Sequence, residues 1–371
     1  MSTTRRMIDL AVPGVRGLEP YQPGKPIEEL EREYGVQGAI KLASNENPLG
    51  PSPLALEALE RAAKGVARYP DGGGFALKSA IARYHGVGPQ CITLGNGSND
   101  ILELAARSFA GAGDEVVFSQ HAFAVYPIVT QAVGARAVSV PALNWGHDLD
   151  AMLRAVTDRT KLVFIANPNN PTGTWLERPA LARFLAELPD RVVVVLDEAY
   201  FEYVEAPDFP NGIEWIGRHP NLLVARTFSK AYGLAGLRVG FGVSDAALAD
   251  LLNRVRQPFN VNSLAQAAAL AALADSDHLE RSRRINREGM RQLTEGFRRL
   301  GLGFIESAGN FVSVELPIPG REVYERLLRR GVIVRPVDNY GMPRHLRITV
   351  GLPHENQRFL EALAQAIGAN A

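Results

Sequence analysis

Apolar residues in this chain gather into short unbroken runs. Seven stand out: Cys91–Leu94, Glu115–Phe118, Ala135–Val140, Leu162–Ile165, Val192–Leu196, Leu222–Ala225 and Val239–Val243. A strand that is apolar at consecutive positions must bury both faces, as inner strands do in a mostly parallel sheet covered by helices on each side. Between the runs, Asn99–Phe109, Phe123–Val133 and Arg178–Leu188 carry helical spacing. The alternation predicts an α/β fold whose large domain holds a mostly parallel seven-stranded sheet.

After about Val243 the pattern changes. Long charged helical segments, notably Ser276–Leu300, precede strand runs at Phe311–Glu315, Val332–Arg335 and Leu346–Val350, which predicts a smaller α+β domain. The segment before Lys41 is rich in Pro and Gly and has one helical stretch, Pro26–Tyr34. It is too short to bury a core and should lie against the rest of the molecule or a partner chain. The expected division is residues 1–40 as an N-terminal arm and part of the small domain, 41–260 as the large domain and 261–371 as the small domain.

Composition narrows the function class. With 46% apolar and 22% charged residues, the 371-residue chain reads as globular. Forty basic residues balance forty acidic ones, so nothing marks a partner of nucleic acid or of an anionic membrane. No apolar stretch reaches bilayer length and the N-terminus has no apolar signal core, so a cytoplasmic enzyme is expected. The single cysteine, Cys91, reads as a buried strand residue and not as a nucleophile.

The candidate chemistry lies just after the strand runs. In Ala225–Gly242, A-R-T-F-S-K-A-Y-G-L-A-G-L-R-V-G-F-G, Lys230 stands behind a buried strand with Thr227, Ser229 and Arg238 around it. Desolvation lowers a lysine's pKa and suits it to Schiff-base chemistry, and the hydroxyls and guanidinium suit a phosphate. In Val192–Tyr200, V-V-V-V-L-D-E-A-Y, five apolar residues deliver Asp197 to a strand's carboxyl end, where open α/β sheets bind ligands. A buried carboxylate there can partner a pyridinium nitrogen; a solvated strand end or a metal ligand also fits Asp197 taken singly. No His, Cys or acid cluster at metal-ligand spacing accompanies it, and no metal is expected. The loop Asn167–Gly173, N-P-N-N-P-T-G, can fix Asn170 or be a plain turn. Ser98 and Asn99 in L-G-N-G-S-N-D-I, Leu94–Ile101, can bind an anion at a helix N-terminus or simply cap it.

Taken in order, these elements resemble the fold-type I pyridoxal-5′-phosphate (PLP) enzymes, and specifically the histidinol-phosphate aminotransferases. Further marks are P-Y-Q-P-G-K-P at Pro20–Pro26, K-L-A-S-N-E-N-P-L-G-P-S at Lys41–Ser52, R-Y-P-D at Arg68–Asp71 and H-L-R-I-T-V-G at His345–Gly351. The resemblance covers nearly the whole chain. It implies PLP as cofactor, Lys230 as the Schiff-base lysine and proton shuttle, Asp197 as partner of the ring nitrogen, and Asn170 and Tyr200 as partners of the 3′-oxygen. Lys230, Asp197 and Tyr200 would be the catalytic residues. Thr227, Ser229, Arg238, Ser98 and Asn99 would hold the phosphate, and Phe123 would stack on the ring where many relatives have Tyr.

The resemblance further implies a homodimer with composite sites, Tyr69 reaching the neighbouring subunit's cofactor phosphate. Substrate contacts would be Tyr21, Asn47, Arg335 and Arg347, although Tyr21 could pack in the Pro-rich arm and Arg335 could pair with Asp338. The implied reaction is a ping-pong transamination converting histidinol phosphate and 2-oxoglutarate to imidazole-acetol phosphate and glutamate, in histidine biosynthesis. An aromatic amino-acid aminotransferase or a threonine-phosphate decarboxylase would share the cofactor residues.

Overall fold

The computed structural model describes residues 7–368. Its strands, in chain order, are β1 Ile40–Lys41, β2 Ile92–Gly95, β3 Glu115–Ser119, β4 Arg136–Val140, β5 Thr160–Ala166, β6 Val193–Asp197, β7 Leu222–Thr227, β8 Gly240–Ser244, β9 Phe304–Ile305, β10 Phe311–Glu315, β11 Val332–Ile333, β12 Arg335–Pro336 and β13 His345–Thr349. All seven apolar runs enter one sheet, in the order β2-β8-β7-β6-β5-β3-β4. Only β8 runs against its neighbours, pairing antiparallel with β2 and β7. Alternate residues of the central strands feed two cores. Val163, Ile165, Val194, Leu196 and Val224 join one apolar cluster, and Leu162, Phe164, Val195, Leu223 and Ala225 join the other.

Helix starts follow local capping chemistry. Ser52 accepts from the N–H of Ala55 at the head of Pro53–Ala63, where proline occupies the first turn. Asn262 accepts from Ala265 N at the head of Ser263–Ala274. These two alanine-rich helices pack together beside the large sheet.

The second sheet, in the order β12-β13-β10-β9, is antiparallel, with helices Ser276–Arg299 and Pro353–Ile367 beside it. Leu346, Ile348 and Val350 face its core, so Arg347 and Thr349 face the opposite side. Strand β1 pairs with β11 and ties the N-terminal segment to this part of the chain.

Four sequence expectations change. Cys91 closes a 3-10 turn, Pro89–Cys91, and is only partly buried, so it is not a strand residue. The run Val332–Arg335 breaks at Val334 into two strands that join different sheets. The helix expected from Phe123 starts at Val125 and leaves Phe123 in the turn ahead of it. The arm has two short helices beyond the one expected, Met7–Leu10 and Pro13–Arg16. No helix of the described residues is long and apolar enough to cross a membrane.

Candidate active site

A cavity of about 910 Å³, counting its open mouth, lies at the carboxyl ends of the parallel strands. Thirteen of the fifteen expected residues line it: Tyr21, Ser98, Asn99, Phe123, Asn170, Asp197, Tyr200, Thr227, Ser229, Lys230, Arg238, Arg335 and Arg347. The seven-stranded sheet supplies most of these, with Asp197 ending β6, Lys230 three residues beyond β7 and Arg238 two residues ahead of β8. Strands β12 and β13 supply the two arginines, and the N-terminal arm supplies Tyr21.

Lys230 Nζ donates to the carbonyl of Ser44 at 3.1 Å. Burial, and then the charge of Arg347, lowers its pKa to about 7, so about half of its amine is unprotonated near neutrality. Asp197 moves the other way. Burial pushes its carboxyl up to about 6, against the pull of a hydrogen bond that its Oδ2 accepts from the Tyr126 hydroxyl at 2.9 Å. Its Oδ1 is buried and has no hydrogen-bond partner among the described residues. A buried carboxylate oxygen without a protein donor calls for one. Its neighbour Glu198 has a different task, because it grips Arg226 at 2.6 Å in a fully buried ion pair and accepts from Gly212 N at 2.8 Å. Of the two acids in D-E-A-Y, one faces the cavity and one braces the loop.

The turn between β2 and the helix Ser98–Phe109 makes a cradle. Gly97 caps that helix with φ at 85° and has no side chain to occupy the first-turn N–H groups. A Cβ there would stand 2.4 Å from Arg238 Nη2, and one on Gly240 would stand 2.5 Å from Ser98 N. Arg238 donates to the Ser229 hydroxyl at 3.3 Å, and the Thr227 hydroxyl donates to it at 3.0 Å. A guanidinium, two hydroxyls and a helix N-terminus thus surround a space fit for a phosphate.

Arg347 and Arg335 stand opposite each other across β13 and β12. Arg347 donates to Asn170 Oδ1 and to the carbonyl of Ala43, each at 2.5 Å, and its buried Nε is unpaired. Arg335 donates to the carbonyl of Gln22 at 2.7 Å and faces the Tyr21 ring at 5.6 Å. It does not pair with Asp338, whose carboxylate binds Arg321 at 2.8 Å. Two guanidiniums without acid partners inside a cavity form an anion site.

Two expected residues lie elsewhere. Asn47 does not line the cavity, since its amide donates to the carbonyl of Ala231 and the hydroxyl of Ser282, both at 2.8 Å, and accepts from Leu49 N. Tyr69 is 83% exposed and stacks on Phe259 at 4.8 Å on the outer surface. The sequence reading missed Asn45, which lines the cavity, and Tyr126. Tyr126 sits in the first turn of the helix Val125–Ala132, and its bond to Asp197, 71 positions along the chain, leaves no mark in the sequence. No group of three or more His, Cys, Asp or Glu side chains among the described residues could hold a metal ion.

The family model for class I and II aminotransferases matches residues 37–363. Histidinol-phosphate aminotransferase 2 of Pseudomonas fluorescens is 63% identical over 360 residues, which cover 96% of this chain and 97% of the relative. Histidinol-phosphate aminotransferase 1 of Nitrosococcus oceani is 60% identical over 354 residues, covering 95% and 96%. Among solved structures, the histidinol-phosphate aminotransferase of Sinorhizobium meliloti in complex with pyridoxal-5′-phosphate superposes with a TM-score of 0.89 at 32% identity, covering 99% of both chains. An aspartate aminotransferase of Thermus thermophilus with maleate superposes with a TM-score of 0.82 at 25% identity, covering 96% and 99%. With a lysine, an aspartate and a glycine-lined cradle at the ends of one mostly parallel sheet, and a family model matched along nearly its full length, this chain belongs to the class I and II aminotransferase family.

Proposed function

We propose that this protein is a PLP-dependent transaminase that passes the amino group of histidinol phosphate to 2-oxoglutarate, yielding imidazole-acetol phosphate and glutamate. The observation that carries the substrate assignment is the 63% identity, over 96% of the chain, to a relative named for that reaction. The cavity suits the cofactor: Asp197 Oδ1 needs a donor such as a protonated ring nitrogen, and the Gly97 cradle needs an anion.

When bound, PLP supplies an electron sink that stabilises negative charge on the substrate carbon next to the amine. The chain does the rest. Asp197 would hold a proton at the ring nitrogen, Asn170 and Tyr200 would bind the 3′-oxygen, and Phe123 would stack on the ring. Thr227, Ser229, Arg238 and the amides of Ser98 and Asn99 would bind the phosphate. Lys230, whose pKa of about 7 leaves about half of its amine unprotonated near neutrality, would take the proton from the substrate carbon that bears the amine and deliver it across the nitrogen to the cofactor carbon bonded there. Arg347 and Arg335, with Tyr21 beside them, grip the anionic end of each substrate. A guanidinium fork matches both a carboxylate and a phosphate monoester, so one pair of arginines serves both half-reactions. The active form is a homodimer in which Tyr69 completes the partner's site, and the enzyme works in the cytoplasm.

A donor screen tests this reading. Purified protein with PLP and 2-oxoglutarate should give the highest kcat/KM with histidinol phosphate among that donor, phenylalanine, tyrosine and aspartate. A higher value with an aromatic amino acid would reject the substrate assignment, and carbon dioxide release in place of glutamate would reject transamination.

A further inference from the structure

Asn45 reaches the cavity beside Tyr200 with its backbone in the left-handed region, at φ 54°. Asn is among the few residues that visit that region readily. Every polar group of its side chain is engaged. The Thr349 hydroxyl accepts from Asn45 N at 2.9 Å and donates to Asn45 Oδ1 at 3.2 Å. That leaves Nδ2, which donates to the Tyr200 phenol oxygen at 2.8 Å. Asn45 is 1% exposed, so water does not compete for these bonds. The Thr349 hydroxyl has a single hydrogen, and giving it to Oδ1 holds the amide with its NH₂ toward Tyr200. The Tyr200 ring is fixed edge-on against Phe311, with centroids 5.1 Å apart. Only the phenol hydrogen still has a choice of direction.

We propose that Asn45 is a positioning residue for Tyr200: by donating to the phenol oxygen, it directs the hydroxyl hydrogen away from itself and into the cavity, onto the cofactor's 3′-oxygen. Were the residue an acceptor at this place, the phenol would donate to it and withdraw its hydrogen from the cavity. Accepting one hydrogen bond also makes a hydroxyl a stronger donor. The inference rests on Tyr200 touching the cofactor as set out above, and it adds what orients that contact. Thr349 extends the chain of contacts to β13, two residues beyond Arg347 on the same face.

The readout is the pH midpoint of the bound cofactor's absorbance change in the holoenzyme, since a donor to the 3′-oxygen stabilises the deprotonated form and lowers that midpoint. Tyr200→Phe should raise it by about one unit, the worth of one hydrogen bond to a charged oxygen. Asn45→Asp, which can only accept in its ionised form, should raise it by a similar amount, and the double variant should rise no further than either single one. Asn45→Gly, which keeps the left-handed backbone without strain, supplies a second variant should the aspartate fail to fold. If Tyr200→Phe moves the midpoint while both Asn45 variants leave it at the parent value, the proposal is overturned and the role of Tyr200 stands. If Tyr200→Phe itself moves nothing, the contact between Tyr200 and the cofactor is wrong, and the proposal falls with it. A purely structural Asn45 would lower thermal stability without shifting the midpoint.

Discussion

Lys230 and Arg347 are coupled through charge. Burial holds the Lys230 ammonium down to about pH 7, and Arg347 is the next contributor. Removing the guanidinium should therefore raise the Lys230 pKa above its parent value. In the apoenzyme this shows as a shift to higher pH in the rate of reductive methylation at Lys230, read by peptide mapping of parent and Arg347→Met. The sign in stability follows: between about 7 and the ordinary 10.5 the folded state binds fewer protons than the unfolded one, so this group makes the apoenzyme more stable as pH rises through that window. With substrate, Arg347→Ala should raise KM for histidinol phosphate and for 2-oxoglutarate together, by about tenfold or more, the worth of one charge-assisted bond. Steady-state kinetics on both substrates checks it, and an unchanged KM for either would remove Arg347 from that half-reaction. Asp197 offers a second test at this scale. Tyr126 opposes the rise caused by burial, so Tyr126→Phe should move the carboxyl further above about 6, as read by carbon NMR of labelled aspartate in the apoenzyme. Such partners are hard to see in sequence. Asn45 and Asn47 sit two positions apart in one motif, yet Asn45, with its left-handed backbone, lines the cavity while Asn47 is held by Ala231 and Ser282.

At the scale of elements, what the sequence displayed was the place of each chemical group relative to a strand end. A valine run entering an acid, or an apolar strand entering T-F-S-K, marks a carboxyl end, and those groups meet in the cavity. Direction and register leave no such mark. Strand β8 is as apolar as its neighbours yet runs the other way, and Val332–Arg335 reads as one strand because apolar character continues through the break at Val334. The phosphate cradle is also an element property. Gly97 holds φ at 85° and leaves no room for a Cβ beside Arg238, so Gly97→Ala must strain the turn or displace the guanidinium. Displacing the guanidinium removes a charge-assisted contact to the phosphate, worth about 1.5–3 kcal/mol, so PLP affinity should fall by roughly tenfold to 150-fold. Equilibrium dialysis of the cofactor measures it, and near-parental affinity would place the phosphate elsewhere.

At the scale of the whole molecule, the residue left without a task in one chain is Tyr69. A tyrosine 83% exposed, stacked on a Phe259 that is itself 44% exposed, presents two rings to the outside of the protein. Phe75, a few residues on, is also largely exposed. Aromatic surface of this extent favours association, and a tyrosine combines a large apolar face with a hydroxyl able to reach a polar group in a partner. Tyr69 does not line its own chain's cavity, so any part it has in catalysis must be played in a second copy. The consequence is a complementation experiment. In the proposed homodimer, Tyr69→Ala subunits lack the ring that would reach the partner's cavity, and Lys230→Ala subunits lack the amine within it. Each homodimer should be nearly inactive, the first through weakened PLP binding and the second through loss of the proton carrier. A mixed dimer contains one cavity with its own Lys230 and a Tyr69 donated by the other subunit, so random mixing should restore about a quarter of the parent activity, because half of the dimers are mixed and each has one intact site of two. Mixing the purified variants, with subunit exchange confirmed by native mass spectrometry, measures this. Exchange without recovery would show that Tyr69 serves only its own chain's surface.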